Sequence, residues 1–431
     1  MLLQRANTHA VLRPGIWRLS ASACSALLSL FSTVLIARSL GPVEFGSYAF
    51  ALWLATAAVP AIGLGMSARA NQALADIQAR QNAPTSAGLF YFVLQQQYRK
   101  ILLYCLVYLL LVLLLVKVSG LSLSLLLLAG LSAPPLLLSG VASITLRGLR
   151  RFDLLGDIQL LGAAIMLLLV LLCMQYTFAG FTRLSLLLVT RASADILLLA
   201  FAMLCIARLL PLKEAQEPSR WLRERLTQGG RNSLPLFLLD AIVWRELLLV
   251  LFLGKGADLG YFALASLIST RVLLLFPALL SSCILPLLLR YVPGMHYLNA
   301  IDAWRRNTRY TALMAMPLCA LGIYLCPTII TICFGASYLP MVTPLRLLLA
   351  SAALGSVASI SLTLLANAER KRAQAWLGIV SALLKLALIL PFTHIWGLNG
   401  FALACAIAQA VSASGSIVLC RNYLYYRKKP V

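Results

Sequence analysis

Apolar runs of 18 to 30 residues recur along the whole chain, separated by short polar stretches that hold most of its charge. A helix needs about 20 such residues to cross the hydrocarbon core of a bilayer. The runs are continuous, where barrel strands would read as alternating segments of about ten residues. Spans are therefore predicted near 16–37, 45–67, 98–118, 120–146, 154–176, 184–207, 232–253, 259–289, 308–332, 338–366, 373–395 and 397–420. Pro134, Pro135, Pro277, Pro286, Pro317 and Pro327 fall inside these spans and predict kinks. The expected fold class is an all-α integral membrane protein of about twelve helices.

Composition agrees with the pattern. Of 431 residues, 61% are hydrophobic and 11% charged, against about 25% charged in soluble domains. The net charge of +23 would suit nucleic acid, but its distribution points elsewhere. With the N-terminus inside and loops alternating, 27 of the 36 Lys and Arg fall in inner segments and four, Arg38, Lys117, Arg183 and Lys255, in outer loops. This is the positive-inside pattern, and it predicts that both termini are cytoplasmic. No nucleic-acid partner is expected. Arg5, Arg13 and Arg18 lead directly into the first span, which reads as an uncleaved helix.

The outer loops are short, so no extracytoplasmic domain is predicted. The inner segment 208–231, which mixes Lys, Arg and Glu, lies near the chain midpoint and reads as a connection between lobes 1–207 and 232–431. The halves repeat. LGPVEFGSYAFA, from Leu40 to Ala51, follows span one, and LGKGADLGYFALA, from Leu253 to Ala265, follows span seven. Six helices return a chain to its starting side, so such a repeat is parallel, about an axis along the membrane normal. Two parallel six-helix lobes around a central cleft are the expected layout.

The chemistry is sparse. The sequence has no GxxxxGK[ST] loop, no selectivity-filter motif and no Arg-rich span. Its ten cysteines form no CxxC pair, and His9, His296 and His394 lack nearby carboxylate or cysteine partners in the sequence. No catalytic residue, metal or cofactor is expected, and the cysteines read as small buried hydrophobes.

Ionisable groups within spans are costly and default to functional candidates. They are Asp157, Arg191, Asp195, Asp240, Arg245, Glu246, Arg271, Arg346 and Lys385. Asp157 reads as a helix-start carboxylate. Arg346, less than two turns into span ten, is expected to snorkel to the outer surface. Arg191 and Asp195, four apart, share a face of span six and read either as a packed ion pair or as a functional one. Arg271, flanked by Ser266, Ser269 and Thr270, and Lys385, with no acid on its helix, lie near mid-span, so each must face water, a partner helix or an anionic ligand. With Arg245 they are candidates to bind an anion, most simply a phosphate. Asp240, Glu246 and Asp195 are candidates for ion coupling.

Seven stretches in order, LIARSLGPVEFGSYAFA, GYFALA, LLSSCILPLLLR, TALMAMPLCALGI, CFGASYLPMVTPLRLLLASAALGS, LLANAERKRAQAW and GLNGFALACAIAQ, carry a family likeness. The chain resembles the polysaccharide-transporter branch of the multidrug, oligosaccharidyl-lipid and polysaccharide exporter superfamily, which includes O-antigen flippases. The resemblance implies a twelve-helix protein of the bacterial inner membrane. It implies translocation of polyprenyl-diphosphate-linked oligosaccharide by alternating access, with membrane lipids and other polysaccharide-assembly proteins as partners. In related lipid II flippases, arginines on spans one, two and eight line the cavity, and the matching positions here are Arg18, Arg69 and Arg271. Span seven departs from the family pattern, because Asp240 and Glu246 come earlier than the relatives' acid. Two alternatives stay open: a cation-coupled drug or metabolite antiporter of the same superfamily, and a membrane polymerase or ligase.

Overall fold

A computed structural model describes residues 2–57, 59, 70–71, 73–78, 83–119, 121–149, 151–176, 182–224, 226–227, 256–271, 297–367 and 371–426. These residues form helices and the turns joining them, and none of them is in a strand. The chain divides into two compact units, Met1–Arg245 and Glu246–Val431.

Helices α1 (Leu2–Thr56), α2 (Ala83–Ser119), α3 (Leu123–Gly130), α4 (Ala133–Gly148), α5 (Phe152–Gln175) and α6 (Arg183–Leu209) belong to the first unit. The second holds α7 (258–271), α8 (Tyr297–Cys333), α9 (Val342–Asn367) and α10 (Lys371–Tyr426). Among the described residues, eight segments are long and apolar enough to cross a membrane. Two of them, Ser20–Thr56 and Trp376–Leu424, have 37 and 49 residues. As single helices they would run roughly 55 and 75 Å, beyond a hydrocarbon core of about 30 Å.

Each of the two is broken by a glycine at positive φ, Gly41 (φ 71°) and Gly397 (φ 56°), a conformation that L side chains resist. In α10 the break is a reversal. A Cβ on Gly400 would sit 1.9 Å from the Phe392 carbonyl oxygen, and one on Gly415 would sit 2.5 Å from Leu377. The arms of α10 therefore run side by side and antiparallel. Counting both segments as helix pairs, the described residues supply ten of the twelve expected spans. Span seven lies outside the described residues, and α7 is the beginning of span eight.

In the first unit α1 packs on α5, α5 on α6, and α6 on α4. The expected kink at Pro134-Pro135 is a full interruption between α3 and α4. Two successive residues without N–H cannot extend the ladder, and Ser132 turns its hydroxyl onto the Ala129 carbonyl at 2.7 Å. Tyr104 and Tyr108 of α2 stack and donate to the carbonyls of Ala55 and Leu126. At one end of the unit Leu74, Leu89, Phe90, Val93, Leu146 and Ile206 form a closed core.

The 208–227 stretch folds onto α2. Gln216 N–H donates to the Pro84 carbonyl at 3.1 Å, and Gly88 has no side chain where the Gln216 carbonyl presses in. Arg223 lies over the Phe92 ring and pairs with Glu217. Leu226 joins the closed core. Through Thr227, then, the segment read as an inter-lobe connection is a docked part of the first unit.

In the second unit α9 packs between α8 and α10 and is its most enclosed helix. Trp304 donates to Ser361 at 3.1 Å within a cluster of Ile301, Ile360, Leu364 and Leu424. Near the opposite end of α8, Tyr261 donates to the Ser337 carbonyl at 3.0 Å. The Phe262 and Phe401 rings meet edge to face 4.8 Å apart.

The internal repeat is matched in burial. Phe45, Gly46, Tyr48 and Phe50 are buried in one unit, and Leu259, Gly260, Phe262 and Leu264 in the other. The residue between glycine and aromatic, Ser47 or Tyr261, is half-buried in both.

Candidate substrate and ion-coupling residues

Arg191 and Asp195 stand one turn apart on α6, and the Arg191 Nε donates to Asp195 Oδ2 at 3.0 Å. The carboxylate end is enclosed, with 7% side-chain exposure, while the guanidinium reaches outward at 36%. Tyr48 of α1 is buried within electrostatic reach of both charges. Beside them, Thr190 gives its hydroxyl proton to the Leu186 carbonyl. The Cys173 thiol, 2.8 Å away on α5, therefore donates to the Thr190 oxygen. A buried carboxylate with one cation and a nearby phenol is an arrangement that can exchange a proton or small cation with a change of conformation. The spacing of Arg191 and Asp195 was legible in the sequence. Tyr48 was not, because nothing local announces that it faces α6.

Lys385 is 2% exposed. The antiparallel register set by Gly400 with Phe392 and Gly415 with Leu377 places it level with residues 405–409 on the returning arm of α10. At that level the Gln409 side-chain oxygen accepts from Ser351 of α9 at 3.0 Å. One turn back along α10, Ser381 is buried with its hydroxyl on the Gly378 carbonyl. Lys385 thus lies in a polar layer inside the second unit. Arg271 differs from it: it is exposed, three turns into α7, after the buried Ser269.

Among the other predicted residues, Arg18 falls on the helical backbone of α1. Arg69, Asp240, Arg245 and Glu246 lie outside the described residues. Among the described residues, the ion-pair partner of Asp195 is Arg191. Arg271 and Lys385 share a unit, on different helices, one exposed and one buried. Among the described residues no group of three or more His, Cys, Asp or Glu is placed to hold a metal.

Arg346 has a partner on a neighbouring helix. Its Nε donates to the Ile323 carbonyl of α8 at 3.2 Å. Ile323 lies ten residues before the end of α8 and Arg346 five residues past Met341, so the side chain, itself exposed, bridges the two helices through that carbonyl. The reason is Pro327, four residues after Ile323, which cannot donate the N–H that this carbonyl would otherwise accept.

No family model and no curated protein matches the sequence. Solved structures match along nearly its whole length. An inward-facing multidrug resistance MATE family transporter of the MOP superfamily aligns with TM-score 0.75 at 16% identity, over 97% of this chain and 100% of that one. A MOP superfamily transporter from Pyrococcus furiosus, described as having a binding pocket of reversed polarity, aligns with TM-score 0.68 at 17% identity, over 98% and 96%. The lipid II flippase MurJ, in an inward closed conformation, aligns with TM-score 0.68 at 16% identity, over 94% and 87%. The chain has the multi-helix membrane fold that these transporters share.

Proposed function

We propose that the protein is a flippase that carries polyprenyl-diphosphate-linked oligosaccharide from the inner to the outer leaflet of the bacterial inner membrane by alternating access. Its product would feed O-antigen, capsule or exopolysaccharide assembly. In this reading residues 1–207 and 232–431 are two six-helix lobes, joined through 208–231, and both termini are cytoplasmic.

The observation that carries the reading is the charge of the membrane-embedded groups. Five cations, Arg191, Arg245, Arg271, Arg346 and Lys385, stand against four acids within the spans. From Ala303 to the C-terminus the one acidic side chain is Glu369. A cavity meant for organic cations needs the opposite balance, whereas a diphosphate needs fixed cations in a water-poor site. That one structural neighbour is a lipid II flippase supports a lipid-linked cargo.

The second reading, a cation-coupled drug antiporter, draws on the likeness to a multidrug MATE transporter and on the buried Asp195. A polymerase or ligase is disfavoured by the short outer loops. The test is a deletion strain scored for lipid-linked repeat units. The flippase reading expects them to accumulate at the inner leaflet, with rescue by the intact gene and weak rescue by Arg271→Ala or Lys385→Ala. Normal delivery in the deletion strain, together with a new drug sensitivity, would favour the antiporter.

A further inference from the structure

The Ile323 carbonyl and Arg346 meet between α8 and α9. A carbonyl four residues before a proline has no intrahelical donor, and inside a membrane an unsatisfied carbonyl is expensive. Arg346 crosses from α9 to fill it through Nε. A guanidinium carries five N–H donors in a planar fork, and one carbonyl uses one of them. The others have no partner among the described residues, and Arg346 forms no ion pair there. The only acidic side chain on α8, α9 or α10 is Asp302, twenty-one residues before Ile323 on α8.

Arg346 also lies on an open stripe. Around it α9 is enclosed, but Thr343, Arg346, Ala350 and Leu354 are exposed at helical spacing, and Tyr324 beside Ile323 is 79% exposed. The result is a cation anchored through Nε on an exposed stripe, with its two terminal nitrogens left for another acceptor. That geometry suits a bidentate oxyanion. Arg305, Arg306 and Arg309 sit at the far end of α8, so this cation is well removed from the basic end of the unit.

We propose that Arg346, aimed by the carbonyl that Pro327 leaves unpaired, docks a phosphate-type group of the transported lipid near the outer end of the α8–α9 pair. It would receive the headgroup after the inner cations release it. This rests on the flippase reading and adds a particular residue and a proline-made anchor to it.

The test is calorimetric titration of the purified protein, in nanodiscs of zwitterionic lipid, with farnesyl diphosphate; farnesol and inorganic pyrophosphate serve as controls. Wild type should bind farnesyl diphosphate saturably and well above farnesol. Arg346→Gln should weaken binding about tenfold or more, since a charge-assisted hydrogen bond contributes roughly 1.5–3 kcal/mol. Arg346→Lys should weaken it less, keeping charge without the fork. Pro327→Ala should weaken it with the charge intact, because the restored N–H takes the Ile323 carbonyl and releases the anchor. Thermal melting of Arg346→Lys beside Arg346→Gln controls for misfolding. Unchanged binding in Arg346→Gln, with wild type still preferring the diphosphate, overturns this inference alone. Equal binding of farnesol and farnesyl diphosphate by wild type overturns the flippase reading with it. If phosphatidylglycerol in the disc displaces the probe from wild type but not from Arg346→Gln, the occupant is bulk lipid and the assignment to cargo fails.

Discussion

Arg191 and Asp195 are neighbours on α6, and the acid is the more deeply enclosed of the two. Charges removed from water are held by their partners, so removing one leaves the other stranded, at about 3–5 kcal/mol for a fully buried pair. Arg191 is partly exposed, so the lower part of that range applies to Arg191→Met. Replacing both, as Arg191→Met with Asp195→Leu, removes both desolvation costs and should restore most of the lost melting temperature. Transport by this double variant then separates the two roles left open by the sequence. A pair that couples ion movement gives a stable, inactive protein, and a packing pair gives a stable, active one. Arg346 teaches the complementary lesson. Its charge and position were plain in the sequence, but its acceptor was not, because that acceptor is created by a proline on another helix, nineteen residues away in the chain.

At the scale of elements, the apolar runs and basic loops gave the spans almost directly, since bilayer thickness and charge asymmetry act on local sequence. Breaks were expected at 38–44, between spans one and two, and at 396, between spans eleven and twelve; Gly41 takes positive φ within the first and Gly397 does so one residue past the second. The docking of 208–227 onto α2 was hidden, because it depends on Gly88 and Phe92, more than a hundred residues earlier. The α10 reversal gives a ranked prediction. Gly397 has open space where a Cβ would go, so Gly397→Ala meets only backbone strain, about 1–3 kcal/mol at φ 56°, ψ −133°. At Gly400 a Cβ would overlap the Phe392 carbonyl, and backbone must move. Gly400→Ala should therefore lower the melting temperature in detergent more than Gly397→Ala. The reverse order would contradict the antiparallel register that places Lys385 level with Gln409.

For the whole molecule, the strongest sequence signal was where the positive charge lies, and the least legible was which embedded cations meet a ligand. A count of Lys and Arg is enough to propose an orientation, whereas a binding site needs several helices to converge. Reporter fusions at the C-terminus and within 38–44 test the orientation. The first should behave as cytoplasmic and the second as extracytoplasmic, and a C-terminal fusion active outside would invert every loop assignment. The central claim is that the cargo is an anionic lipid-linked glycan, and it is tested most directly in vesicles. Purified protein would be reconstituted into proteoliposomes holding a fluorescent polyprenyl-diphosphate-linked disaccharide, and an impermeant quencher would be added outside. The account predicts that the lumenal pool becomes quenchable at a rate that falls in Arg271→Ala. A pool that stays protected, in vesicles that instead exchange an organic cation for protons or sodium, would contradict it.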